Sequence, residues 1–364
     1  MKNTFGDNLS VTIFGESHGK SVGAVIDGLC AGIDVNLENI NKMLSLRRPQ
    51  DAVSTARREN DEFTVHSGVF NDKTCGTPIC ITIENSDTRS KDYSKTYGIA
   101  RPSHADFTAF SKYNGCEDYR GGGHFSGRIT AALCAVGGIL IPALNKKGIY
   151  IGTHIKKIGS ALDRDFDCIK DDINKLSNKY FAVLDDAAEE KMRAEIINAK
   201  NDGDSIGGML ETVVYGLSAG IGEPFFDSLE SKISHAVFSV PAVKGIEFGL
   251  GFGFCDKRGS EVNDAFYIEN GEIKTKTNNS GGINGGISNS MPILFKTAIR
   301  PTPTISKEQQ TVDFLKGENA VLKANGRHDP CIVHRARAVL DAVTAIAVTD
   351  ALITKFGTDW LGEK

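Results

Sequence analysis

Apolar positions along the chain fall into short alternating runs and a few long helical ones. Residues 11–14 (Val-Thr-Ile-Phe) and 22–26 read as two strands flanking a glycine-bearing turn. Residues 37–46 place Leu37, Ile40, Met43 and Leu44 at helical spacing. Residues 126–145 are apolar on nearly every side, through Ala131, Ala132, Leu133, Ala135, Val136, Ile139 and Leu140, which predicts a helix buried all round. A second long helix is predicted over 330–356, with Pro330 in its first turn and Gly357 at its end. Runs at 209–215 and 233–240 read as short strands. Residues 163–200 differ in texture: highly charged, free of glycine and proline, and rich in helix formers. They predict an amphipathic helical excursion on the surface. Strands and helices do not alternate regularly, so the pattern points to an α+β fold, a sandwich of antiparallel sheets and packed helices. No linker or fixed-period repeat divides it, and residues 1–364 read as a single domain.

Composition narrows the partners. A net charge of −4 argues against a nucleic-acid coat or a polybasic membrane binder. With 40% hydrophobic and 24% charged residues the chain has a globular composition. No apolar stretch is expected to reach the ~20 residues of a membrane span, and the polar residues 1–10 predict no secretory signal. Eight cysteines are scattered without a CxxC pair or an adjoining histidine cluster. They read as free thiols of a cytoplasmic protein, with no metal site.

The 39 glycines exceed the usual ~7% share and are bunched at 121–123, 207–208, 249/251/253, 281–282 and 285–286. Any one such loop is as well explained by a tight turn, but five beside polar sequence suggest a cradle for a flat or phosphorylated ligand. Familiar motifs fit poorly. Residues 15–19 (Gly-Glu-Ser-His-Gly) satisfy GxSxG, yet a strand rather than a helix follows, so a nucleophile elbow at Ser17 is disfavoured. The run 15–21 is one residue short of a P-loop, and 249–253 lacks a dinucleotide fingerprint.

More informative is arginine beside histidine, repeatedly held by Pro or Gly. The segments are Arg47-Arg48-Pro49, Arg57-Arg58, Arg101-Pro-Ser-His104, Arg120-Gly-Gly-Gly-His124 and Arg327-His-Asp329-Pro. A surface ion pair is the ordinary role of a single arginine. Several converging on one pocket suit a small polyanion, with histidine placed to protonate a leaving oxygen.

Taken in order, these segments resemble the chorismate synthase family. They are GESHG (15–19), RRP (47–49), RPSHAD (101–106), RGGGHFSGR (120–128), DGDSIGG (202–208), AVKGIEFGLGF (242–252), NNSGGINGGIS (278–288) and GRHDP (326–330). The resemblance implies a lyase of the shikimate pathway that forms chorismate from 5-enolpyruvylshikimate 3-phosphate by trans-1,4-elimination of phosphate. It implies reduced FMN without net redox change, a homotetramer, and a β-α-β sandwich. NADPH would enter only if the chain reduces its own flavin. By matching motif, His18 would adjust flavin protonation, His104 would face the substrate phosphate, and Asp329 would act with flavin N5 in proton abstraction. Ser17 would support their hydrogen bonding. Arg48, Arg57, Arg101, Arg128 and Arg327 would clamp the substrate anions. Flavin contacts would fall on His124, Phe125, Ser126, Pro241, Ala242, Gly285, Arg300, Pro301, Thr302, Pro303, Thr304 and Arg327, and a nicotinamide nucleotide contact on Arg47. Ser103 stands where the family commonly has glycine, His124-Phe125 where many members have Arg-Ser, Ile129 for glutamate and Arg300 for lysine. A serine hydrolase built on Ser17 and a non-catalytic binder that keeps the pocket are the competing readings.

Overall fold

The computed structural model describes residues 2–51, 53–54, 60–86, 97–323 and 329–362. Two antiparallel sheets enclose a helical layer. The first runs in the order Thr4–Phe5, Ser10–Gly15, Ser21–Asp27, Ile79–Glu84, Phe63–Val65. The second runs Ala161–Leu162, Tyr150–Ile158, Gly208–Tyr215, Ile293–Ile299, Val243–Phe248. Strict alternation of buried and half-buried residues along Ile293–Ile299 sets its register, pairing Leu210 with Thr297 and Thr212 with Phe295.

Between the sheets lie the helices Leu37–Arg47, Thr130–Lys146, Leu229–Phe238 and Val333–Phe356. Thr130–Lys146 leans on the first sheet and Val333–Phe356 on the second, so each is covered on both sides. Glycine allows the helices to close on one another. A β-carbon on Gly137 would lie 2.6 Å from the Ala342 β-carbon, and one on Gly138 2.6 Å from Ile40 Cα. This layer corrects one expectation. The stretch Gly127–Lys146 does reach the length and apolarity of a membrane span, because a helix packed on every side has no polar face to keep. Most of it is buried inside the protein.

The hairpin strands and the three long helices match the sequence pattern closely, although Val333–Phe356 begins after Pro330. Residues 233–240 do not form the strand expected of them. Residues 233–238 belong to the helix Leu229–Phe238, whose Ser228 cap accepts from Ser231 N, and which buries Leu229, Ile233, Ala236 and Val237 at helical spacing. The charged excursion forms two helices, Ile169–Leu176 and Asp186–Asn201, packed against the second sheet.

Candidate functional site

Strands Ser10–Gly15 and Ser21–Asp27 pair in register from Ser10–Asp27 to Gly15–Val22, and their connecting loop carries Ser17 and His18. Ser17 N donates to Gly123 O at 3.1 Å, and Ser17 Oγ donates to Arg120 O at 3.2 Å. With its one proton so placed, Ser17 Oγ accepts from His18 Nδ1 at 3.1 Å. This polarity is the reverse of a serine activated by a histidine base, and the loop joins two strands rather than a strand and a helix. Both features count against the hydrolase reading.

The triple glycine forms the wall between two histidines. A β-carbon on Gly121 would lie 2.2 Å from His18 Cε1, where its φ of +68° also favours glycine. One on Gly122 would lie 3.5 Å from both Cε1 and Nε2 of His104. His104 Nδ1 donates to Asp106 Oδ1 at 2.8 Å, and Asp106 also takes Arg101 Nη2 at 2.6 Å, Nε at 2.8 Å and backbone N at 2.9 Å. Burial alone would raise the Asp106 carboxyl, but the hydrogen bonds and charges of Arg101 and His104 outweigh it and hold the group well below the usual carboxylate range. A permanent anion at Nδ1 fixes the ring so that its Nε2 edge faces Gly122. Arg101 Nη1 reaches Gly121 O at 3.3 Å. The hairpin Glu308–Asp313/Glu318–Lys323 supports this segment, with Ala100 N donating to Val312 O at 3.0 Å.

His124 Nδ1 lies 2.7 Å from Gly15 O, tying the glycine run to the hairpin, and Phe125 is exposed. Ser126 accepts from Arg128 N at 3.2 Å and so starts the turn that leads into the buried helix. Arg128 is itself buried, bonded to Asp61, to Asn85 Oδ1 at 2.8 Å and to Glu84 O at 2.8 Å. Arg47 meets the other oxygen of Asp61 at 3.1 Å. Burial would raise the Asp61 carboxyl, yet the two guanidinium charges outweigh that and lower it. Arg47 and Arg128 therefore brace the loops around a buried anion. Asn85 extends the brace, donating to Glu16 O and Gly19 O at 2.9 Å each.

A second set of loops gathers at the end of the second sheet. Ala242, at φ 74°, accepts from Arg300 N at 3.0 Å, joining Pro241-Ala242 to the segment of Arg300, Pro301, Thr302, Pro303 and Thr304. Thr302 Oγ1 donates to Asp329 O, and the Asp329 carboxylate pairs with Arg335 at 2.7 Å. Arg335 Nε also donates to Arg47 O at 3.0 Å, which links this set to the Asp61 brace, and Arg48 Nη1 donates to Asn60 O. Arg300 Nε is buried without a hydrogen-bond partner among the described residues, an orphan donor that fits an anionic ligand group. Gly285 lies in the hairpin turn after Ile283–Asn284, with open space where a side chain would be. Arg57 and Arg327 lie outside the described residues. Asp61, Asn85, Asp106 and Arg335 were not among the residues expected from sequence. Only Asp106, two positions after His104, carried a local signal.

A helical layer between antiparallel sheets, with arginines, histidines and glycine loops at its edges, defines an enzyme built for a small polyanion. The chorismate synthase family model matches residues 9–353. Chorismate synthases of Dehalococcoides mccartyi and Methanobrevibacter smithii are 44% and 45% identical, over 96% and 97% of both chains respectively. A crystal structure of chorismate synthase superposes with a TM-score of 0.77 at 28% identity, covering 97% of this chain and 94% of that one. The chain belongs to the chorismate synthase family, carbon–oxygen lyases that form chorismate from 5-enolpyruvylshikimate 3-phosphate at the end of the shikimate pathway.

Proposed function

We propose that the cluster around Gly121 and Gly122 is the phosphate-leaving end of the active site and that the chain works with bound reduced FMN. The observation that carries this reading is the glycine wall flanked by His18 and His104, with Arg101 and His104 both anchored on Asp106. Reduced FMN, when bound, supplies an electron-rich ring system that assists phosphate loss from a substrate whose departing hydrogen is not acidic. The protein's own groups do the rest. Arg48 and Arg101 hold substrate anions, His104 protonates or balances the departing phosphate, and Asp329, oriented by Arg335, takes up the proton. His18 and Ser17 sit against the flavin. His124, Phe125, Ser126, Gly285, Pro241, Ala242 and the segment 300–304 contact it, with Arg300 Nε as a donor to its anionic end. Arg128 acts by holding Asp61 and Asn85 in place behind the site, and Arg57 and Arg327 complete the clamp. Arg47 is engaged with Asp61 in the same way, and NADPH enters only if the chain reduces its own flavin.

The chain assembles as a homotetramer in the cytoplasm. Assembly is supported by apolar side chains left in solvent, Phe226 at 92%, Phe252 at 80% and Ile268 at 76% exposure. The free cysteines support a reducing compartment. The test is anaerobic: protein, 5-enolpyruvylshikimate 3-phosphate and chemically reduced FMN, with chorismate absorbance and phosphate followed together. Equal release of both, absent with oxidised FMN, is expected. Tight binding of both ligands without turnover would favour the binding-only reading.

A further inference from the structure

We propose that Tyr180, on the charged excursion, is a positioning residue for the segment that follows Arg48, acting through Ser54 and His334. The inference rests on the reading of Arg48 as a substrate clamp. Gln50 N donates to Tyr180 Oη at 3.2 Å, and Tyr180 Oη lies 2.9 Å from Ser54 Oγ. Ser54 Oγ donates to Asp51 Oδ1 at 3.0 Å and lies 2.8 Å from His334 Nε2.

Counting protons gives this network a single polarity. With the Ser54 proton committed to Asp51, the tyrosine, whose oxygen accepts from the Gln50 amide, donates to Ser54. Ser54 sends its own proton to Asp51 and must therefore accept from His334 Nε2–H. His334 is fully buried, and its other nitrogen has no hydrogen-bond partner among the described residues. A neutral imidazole in that one tautomer satisfies every contact, in keeping with the burial that pulls its pKa down to about 4. Packing alone would be served better by an apolar side chain, whereas the Nε2 donor is useful only to Ser54.

The excursion grips the same segment a second time. Arg193 donates to Asp51 Oδ2 and to Glu189, each at 2.7 Å, while its guanidinium lies 4.3 Å over the Phe181 ring. Phe181 in turn stacks on His334 at 5.7 Å. The residue after His334 is Arg335, which holds Asp329 and the Arg47 carbonyl. One surface element thus fixes Gln50, Asp51 and Ser54 against the helix start that orients Asp329.

The test compares Tyr180→Phe, Ser54→Ala and Ser54→Thr in the full-length enzyme. Kinetics with reduced FMN are paired with FMN affinity and with hydrogen exchange of the 48–54 backbone. Tyr180→Phe and Ser54→Ala should raise KM for 5-enolpyruvylshikimate 3-phosphate about 3- to 10-fold, the equivalent of one ordinary hydrogen bond. They should leave kcat and FMN affinity within about twofold and speed exchange at Gln50, while Ser54→Thr restores the parent KM. A KM unmoved in both variants overturns the inference, as does a rise matched by equal loss of FMN affinity. Arg48→Ala keeps the two ideas apart. If it leaves KM unmoved the clamp reading itself fails; if it raises KM while the other variants do not, only the positioning role fails.

Discussion

Among the described residues, two histidine–carboxylate pairs share the same 2.8 Å bond, His104–Asp106 beside the glycine wall and His154–Asp163 in the second sheet. Their surroundings differ. The side chains of His104 and Asp106 are 18% and 19% exposed, and those of His154 and Asp163 are fully buried. His154 gives its second nitrogen to Glu211 at 2.9 Å, and Asp163 takes Leu184 N and Asp185 N as well. Phe166 closes the remaining side of the ring. No valence is left over there for chemistry, whereas His104 keeps an edge turned to Gly122. A carboxylate-held imidazole becomes a reactive site only when the surrounding fold leaves its far edge accessible.

The largest effect should separate the two pairs outright. His104→Ala is expected to lower turnover by ~10²–10⁴, the range for a lost acid–base group, with FMN affinity retained. In a comparison of kcat at saturating substrate, an unchanged value removes His104 from the chemistry. His154→Leu should do the opposite, leaving turnover per folded molecule near that of the parent while stability falls. It strands Asp163 and Glu211 in the interior without their cation, a loss of about 3–5 kcal/mol. Urea unfolding reads this directly, and a variant as stable as the parent would mean that the triad contributes nothing.

The buried pair also has a pH signature. Burial lowers the His154 pKa, but the two carboxylates outweigh it and the net shift is upward from 6.5. Its contribution is therefore complete below the unfolded value and lost as pH rises through the higher folded value. Asp163 is also disfavoured by burial, yet its bonds to His154 and the backbone lower it, so its share is present above 3.8 and lost as pH falls through the lower folded value. Parent stability should decline from neutral to alkaline pH, and His154→Gln should flatten that decline.

Much of this arrangement was legible in the sequence where it is local. The hairpin around Ser17 and His18 followed from alternation, and the buried helix from its unbroken apolarity. Residues 233–240 misled because a helix with one exposed face contains short apolar runs, and the deciding Ser228 cap lies outside the window. The braces were not legible. Asp61 answers Arg47 and Arg128, which are 14 and 67 residues away, and only the closing of the first sheet around the helices brings them together. The charged excursion read as surface, and its grip on Gln50, Asp51 and Ser54 depends on a fold contact that no periodicity encodes.

A smaller effect sharpens the account of His104. Asp106→Asn keeps the shape but removes the charge that fixes Nδ1–H and Arg101. A hydrogen bond to a charged group contributes about 1.5–3 kcal/mol, so turnover should fall on the order of 10- to 100-fold. The loss should stay below that of His104→Ala, because an amide oxygen still accepts from the ring. A variant as slow as His104→Ala would give Asp106 a direct part in the reaction.

The smallest change concerns the neighbour of His104. Ser103 adopts φ 59°, a left-handed conformation that costs a side-chain-bearing residue roughly 1–2 kcal/mol. Glycine removes that strain but gives the unfolded chain more freedom, so most of the gain cancels. Ser103→Gly should shift stability by less than about 1 kcal/mol and leave kcat unchanged, since the backbone that aims His104 at Gly122 stays where it is. Thermal unfolding and kcat measured side by side decide the point. A tenfold loss of turnover without loss of stability would show that the hydroxyl, and not only the turn, serves the histidine, and the contrast with His154 would then rest on one more side chain than the geometry supplies.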